Sequence, residues 1–206
     1  WCFFANGVSY IAVIAGLLAS DHLAQSLEDG HAAASLARPV RREAFAFARL
    51  AGSLSVSLTA GALLLGTTAF WVATRSGLPA GPALLACSSC ALACVTVASF
   101  AMGASLALPR IAIWLLVFGL VFFTTLAAGA ALISHEPNAV AASPSLFALL
   151  DRFGPPIASG MLRALAPWLP GAPLPGDFAA TLARGVLWAG LGLGSLALAF
   201  RRIELK

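Results

Sequence analysis

Residues 27–52 read LEDGHAAASLARPVRREAFAFARLAG, and they hold seven of the nine charged side chains found in the first 103 residues. On either side lie charge-free apolar runs, Trp1 to Ser20 and Leu50 to Thr74. A helix needs about 20 apolar residues to cross the hydrocarbon of a bilayer. A charged island between two such runs is therefore a connection held at a membrane surface. Inside the island, Pro39 disfavours helix at Arg38 while itself suiting the first turn of a new helix. The preceding segment, Asp21 to Ala37, places Leu23, Leu27 and Leu36 among alanines and is helix-compatible but too polar to span. From Val40 a helix can restart and run through Phe45, Phe47 and Leu50 into the membrane. The pattern predicts a helix, a proline corner and a second helix.

Composition agrees with a membrane setting. Of the 206 residues, 60% are hydrophobic and 10% charged, against about 25% charged in soluble domains. The reading is a single all-α polytopic membrane domain over residues 1–206. Its five spans are expected at about 1–20, 50–74, 80–108, 111–134 and 178–200. Arg184 enters the last span near its start, where its side chain could snorkel to the headgroups. Trp1 opens inside an apolar run with no basic region or cleavage site of a signal peptide. The expectation is a lost first helix and six spans in the parent protein.

Two connections are long, 21–49 and 135–177, and two are tight turns around Pro79–Pro82 and Pro109. With five spans, the first long connection, Arg110 and the tail share one side. That side holds eight basic residues against four on the other. The positive-inside rule makes it cytoplasmic, C-terminus included. Connection 135–177 is then external. Within it, Leu146, Leu149, Leu150 and Phe153, then Ile157, Met161, Leu162 and Leu165, recur at helical spacing in runs too short to span. Two short interfacial or re-entrant helices are expected there.

The arginines form no basic stripe with interleaved aromatics, so nucleic acid is not an expected partner. Lys206 is the only lysine, which excludes a phosphate-binding Walker loop in this chain. Cys87, Cys90 and Cys94 share one helix face, but they lie mid-membrane without a cationic neighbour. Small residues at a helix contact explain them better than a metal or redox site. Gly103-Ala-Ser105 faintly resembles an intramembrane serine nucleophile, but no histidine lies within a later span to act as base. The glycines of the last span, Gly185, Gly190, Gly192 and Gly194, favour close helix packing.

The island resembles the cytoplasmic coupling region of type-two ATP-binding-cassette (ABC) transporter permeases. In that family an acidic-x-Gly segment precedes a small, Leu-rich helix. Pro-Val-x-Arg follows, and seven positions on comes a basic residue with Leu-x-Gly. Here Glu28, Asp29 and Gly30 supply the first part. Leu36, Arg38, Pro39 and Arg42 supply the second, and Arg49-Leu-Ala-Gly52 the third. His31, Ala32, Ala33 and Arg41 depart from the usual residues. The resemblance implies a permease subunit in the bacterial inner membrane, with no cofactor and no catalytic residue of its own. It would pair with a second permease subunit as a homodimer, bind two copies of an ATPase subunit, and contact membrane lipid. Glu28, Asp29, Gly30, Leu36, Arg38, Pro39 and Arg42 would form the ATPase-coupling site. The absence of a charged pocket in the spans favours an amphiphilic or apolar substrate, and export is the expected direction. Other readings are a solvated loop anchored by arginines, a non-transporting scaffold or assembly factor, and a haem-exporter-type permease subunit. An ion-coupled transporter is disfavoured, because the spans lack intramembrane Asp, Glu or Lys.

Overall fold

The computed structural model describes residues 2–28, 42–77, 81–133, 146–165 and 178–202. Among these the chain is helical throughout, with turns between helices and no strand. Helix α1 runs Cys2–Glu28 and α2 runs Arg42–Gly61. A π-helical turn, Ala62–Gly66, leads without a break into α3, Thr67–Ser76. Then come α4 (Gly81–Ala104), α5 (Arg110–Ile133), the short α6 (Leu146–Phe153) and α7 (Ser159–Leu165), and α8 (Phe178–Arg202).

Four stretches are long and apolar enough to cross a membrane: Ala44–Arg75, Gly81–Ala104, Arg110–Ala128 and Phe178–Arg201. They correspond to the second to fifth expected spans. Helix α1, on which the first expected span falls, contributes a shorter apolar stretch, Gly7–Asp21. The second crossing is longer than expected at 32 residues. It begins inside the charged island, since α2 starts at Arg42.

Helix α4 is the hub. It packs against α1, α2, α5, α7 and α8. Its sequence is apolar or small on every face, the pattern of a helix surrounded by other helices. Ala86, Cys90, Ala93, Cys94, Ala98 and Ala101 are buried along it. Side chains this small let neighbouring backbones approach, which inside a bilayer replaces the hydrophobic drive that lipid cannot supply. Gly16 of α1 shows how close the approach is. A Cβ atom there would lie 2.9 Å from Val97 and 3.0 Å from Val117.

The turns follow their sequence. Gly77 ends α3 with φ +63°, the left-handed cap that glycine adopts without a Cβ penalty. Between α4 and α5, Leu108 N–H donates to the Ala104 carbonyl at 2.9 Å. The Pro109 carbonyl receives Ala112 and Ile113, at 3.0 and 3.2 Å, to open α5.

The two short helices expected in 135–177 are present. Residues Gly154 to Leu165 are buried throughout, apart from a half-buried Arg163. A Cβ atom at Gly154 would come within 2.4 Å of the Leu150 carbonyl oxygen, so the exit from α6 requires glycine. Pro155 and Pro156 then turn the chain inward, and α7 lies against α4 and α8.

Candidate functional site

Two regions compete for a functional role: the end of the bundle where the charged island attaches, and the wall of the bundle at the π turn.

At the first, α1 and α2 lie side by side and the island joins them. Glu28 is the last residue of α1 and Arg42 the first of α2. Asp29, Gly30, Leu36, Arg38 and Pro39 lie outside the described residues. The predicted corner at Pro39 therefore falls in the joining segment, 29–41. Around its attachment the structure gathers several polar and aromatic groups. Asp21 of α1 accepts a hydrogen bond from Arg110 Nε of α5 at 2.7 Å, with the side chains 34% and 58% exposed. A pair this exposed contributes less than about 1 kcal/mol. Its value is geometric, since it ties the α4–α5 corner to the end of α1. Phe45 of α2 packs on Phe200 of α8, ring centroids 6.4 Å apart. The Arg49 guanidinium lies over the same Phe45 ring at 5.4 Å. Asp21, Phe45, Arg110 and Phe200 thus meet at one end of the bundle, the shared side that alternating spans imply.

At the second region, α2 changes register. A π turn holds an extra residue, and such turns recur at functional sites. Here the Thr67 hydroxyl donates to the Leu63 and Leu64 carbonyls, and Thr68 donates to Leu64. The Thr67 backbone N–H is directed to the same Leu63 and Leu64 carbonyls, so the hydroxyls add to backbone bonds there. Beside the turn, α1, α2 and α4 border a crevice of about 240 Å³, and α1 and α2 stay close there, since a Cβ at Gly61 would lie 3.3 Å from Ile11. Ile11, Leu58, Gly61, Leu65, Cys87 and Cys90 line it. Sequence reading missed this feature. The only signal was a small pair, Gly61-Ala62, followed after three leucines by Gly66 and the threonine pair Thr67-Thr68.

The cysteines expected to serve as small packing residues do so at Cys90 and Cys94, which are buried, while Cys87 is half-buried at the crevice. Among the described residues no cluster of three or more His, Cys, Asp or Glu could hold a metal ion. Ser105 donates to the Met102 carbonyl at 2.7 Å, the ordinary bond of a helix-end serine. Arg184 does not simply reach for headgroups. Its Nη1 donates to the Arg152 carbonyl, and Trp188 Nε1 donates to the Phe153 carbonyl at 3.0 Å. The last helix thereby caps α6. Arg163 Nη1 donates to Thr181 at 2.7 Å and ties α7 to the same helix.

No protein-family model matches the chain, and no curated protein or solved structure matches it.

Proposed function

We infer that the chain is the membrane-spanning permease subunit of an ABC transporter of the type-two class, exporting an amphiphilic or apolar substrate. One observation carries the reading. Residues 29–41, with the spacing Arg38-Pro39-Val40-Arg41-Arg42, join two packed helices at the bundle end where Asp21 meets Arg110 and Phe45 meets Phe200. A force applied to this elbow would act on α1 and α2 together, and through Asp21 and Phe45 on α5 and α8. Separate ATPase subunits, two per permease pair, would deliver that force as they close on ATP. The spans would then rock between inward-open and outward-open arrangements. On this reading Gly7–Asp21 belongs to a fifth span, the elbow and C-terminus are cytoplasmic, and α6 and α7 lie at the outer side of a bacterial inner membrane.

The elbow supplies an apolar anchor, Leu36, among charges of both signs. Truncating a well-buried interface anchor costs about 2 kcal/mol or more, whereas rim charges cost little. Leu36→Asp is therefore expected to abolish co-purification of the ATPase, and Arg41→Ala to leave it nearly intact. Pro39→Ala is expected to preserve membrane insertion but uncouple ATP hydrolysis from transport in proteoliposomes. Normal assembly and coupled transport in both Leu36→Asp and Pro39→Ala would leave only a solvated loop.

A further inference from the structure

We propose that the π turn is a hinge about which α3 swings against the rest of the bundle, with Thr67 and Thr68 keeping the carbonyls of the turn bonded through the motion. The proposal stands apart from the transport reading and needs only that the second span sits in a bilayer.

The turn lies where bending a helix is costly. Leu63 is fourteen residues from Arg49 and twelve from Arg75, so at 1.5 Å per residue it lies about 18 Å or more along the helix from either charge. Leu63 and Leu64 are 64% and 45% exposed on the outside of the bundle. Bending lengthens backbone hydrogen bonds, and hydrocarbon offers a freed carbonyl no other partner. At this turn the other partner is already in place. The Thr67 backbone N–H is directed to both the Leu63 and the Leu64 carbonyls. The Thr67 hydroxyl donates to the same two, and the Thr68 hydroxyl donates to Leu64. A hydroxyl hydrogen rotates to follow its acceptor, whereas a backbone N–H is fixed in its peptide plane. The backbone bond can therefore lengthen while its carbonyl stays paired.

Packing thins at the same place. On α2 one side chain per turn is buried, namely Ala46, Leu50, Ser53 and Ser57. Past the turn, Ala69 is the last buried side chain described on α3, and the half-buried Val72 is the last to reach the core. Phe70 and Trp71 are 72% and 62% exposed. Among the described residues α3 has its main contact with the π turn itself, whereas α2 lies against α1, α4 and α8.

The two glycines that bracket the turn differ in the same sense. A Cβ added to Gly61 would lie 3.3 Å from Ile11 of α1, while one added to Gly66 would meet nothing within 4 Å. Gly61 thus belongs to the fixed arm and Gly66 to the moving one. Close-packed interiors resist such movement, but the crevice of about 240 Å³ leaves room beside Gly61, Ala62 and Leu65. The lever, α3, has ten residues and is about 15 Å long. A change of about 20° in kink angle moves its far end about 5 Å.

The test is double electron–electron resonance on the full chain in nanodiscs, with Cys2, Cys87, Cys90 and Cys94 replaced by alanine. One nitroxide label sits at Leu187 of α8, and the second at Thr74 of α3 or at Ser55 of α2, all three exposed. The 74–187 distances should spread about 5 Å wider than the 55–187 distances. Thr67→Val with Thr68→Val removes both hydroxyls at nearly constant shape and should narrow the 74–187 spread to the 55–187 value. Thr67→Ser with Thr68→Ser keeps both hydroxyls and should preserve the wide spread. Thr59→Val removes a bond of the same kind, to the Ser55 carbonyl within α2, and should also preserve it. Equal spreads for the two label pairs in the chain with both threonines overturn the proposal. So does a 74–187 spread that persists in the double valine variant, or one that the serine pair or Thr59→Val narrows as much.

Discussion

Around α7, Gly160 leaves so little room that an added Cβ would sit 3.1 Å from Ser89, and the remaining gap there is about 10 Å³. Around the π turn, the same α4 helix faces a crevice of about 240 Å³. The two regions use similar residues, namely alanine, glycine, leucine and hydroxyls. Glycines meet a neighbouring helix on both sides, Gly61 facing Ile11 and Gly160 facing Ser89, so the difference lies in the polar bonds between helices. On the α7 side, Thr181 receives Arg163, Gly185 faces Leu92 and Pro156, and Gly192 faces Ser99. On the π-turn side, Thr67 and Thr68 bond to their own helix. Both sides spend hydroxyls within a helix, since Ser89 donates to Ala86 and Ser99 to Thr96; the tight side adds the Arg163–Thr181 bond between helices.

Four substitutions would break or sharpen this contrast. Gly160→Leu should be the most damaging, at about 3 kcal/mol, the upper end of overpacking costs. It should show as a lowered thermal midpoint and loss of a monodisperse peak in detergent. A tolerated Gly160→Leu would mean that the tight side is no tighter than the loose one. Trp188→Phe keeps a ring against Phe100, 5.9 Å away, but removes the bond to the Phe153 carbonyl. It should cost about 1 kcal/mol, and faster proteolysis within 146–165 would report release of α6. Thr67→Val should cost about 0.6 kcal/mol, a typical value for one hydrogen bond within a membrane bundle. Because the Thr67 backbone N–H still donates to the Leu63 and Leu64 carbonyls, Thr67→Val with Thr68→Val should cost no more than the sum of the singles. Asp21→Asn should have the smallest effect, under about 0.5 kcal/mol, and that effect should vanish at high salt.

The second to fifth expected spans were legible because charge-free length is a global property that survives local error. The short pair α6 and α7 was legible because Leu, Ile and Met at helical spacing stopped too soon and prolines intervened. Close packing at Gly185 and Gly192 was anticipated from their clustering, while α4 as the neighbour comes from the structure. Gly190 and Gly194, in the same cluster, meet nothing within 4 Å, and spacing alone could not separate the two pairs. The π turn was invisible because a one-residue register change leaves hydrophobic periodicity almost intact over five residues. The capping role of Arg184 was hidden for a different reason. Its partner is a backbone carbonyl 32 residues earlier, and any residue type offers such a carbonyl. Of the candidate coupling site, sequence supplied all the residues, while the structure contributes its attachment points, Glu28 and Arg42.

The dependence of α6 on α8 also sets an order of events during synthesis. Arg152 and Phe153 leave the ribosome more than 30 residues ahead of Arg184 and Trp188, the donors that complete them. At about 5–20 residues per second, that interval lasts seconds. Throughout it, a chain with two prolines and open carbonyls would have to avoid bare hydrocarbon, where each unsatisfied group costs several kcal/mol. Water at the bundle's rim, or the insertion machinery, would serve these exposed carbonyls until the last helix arrives. A nascent chain arrested before Phe178 should still expose residues 154–165 to a water-soluble protease, and one released after Arg202 should not.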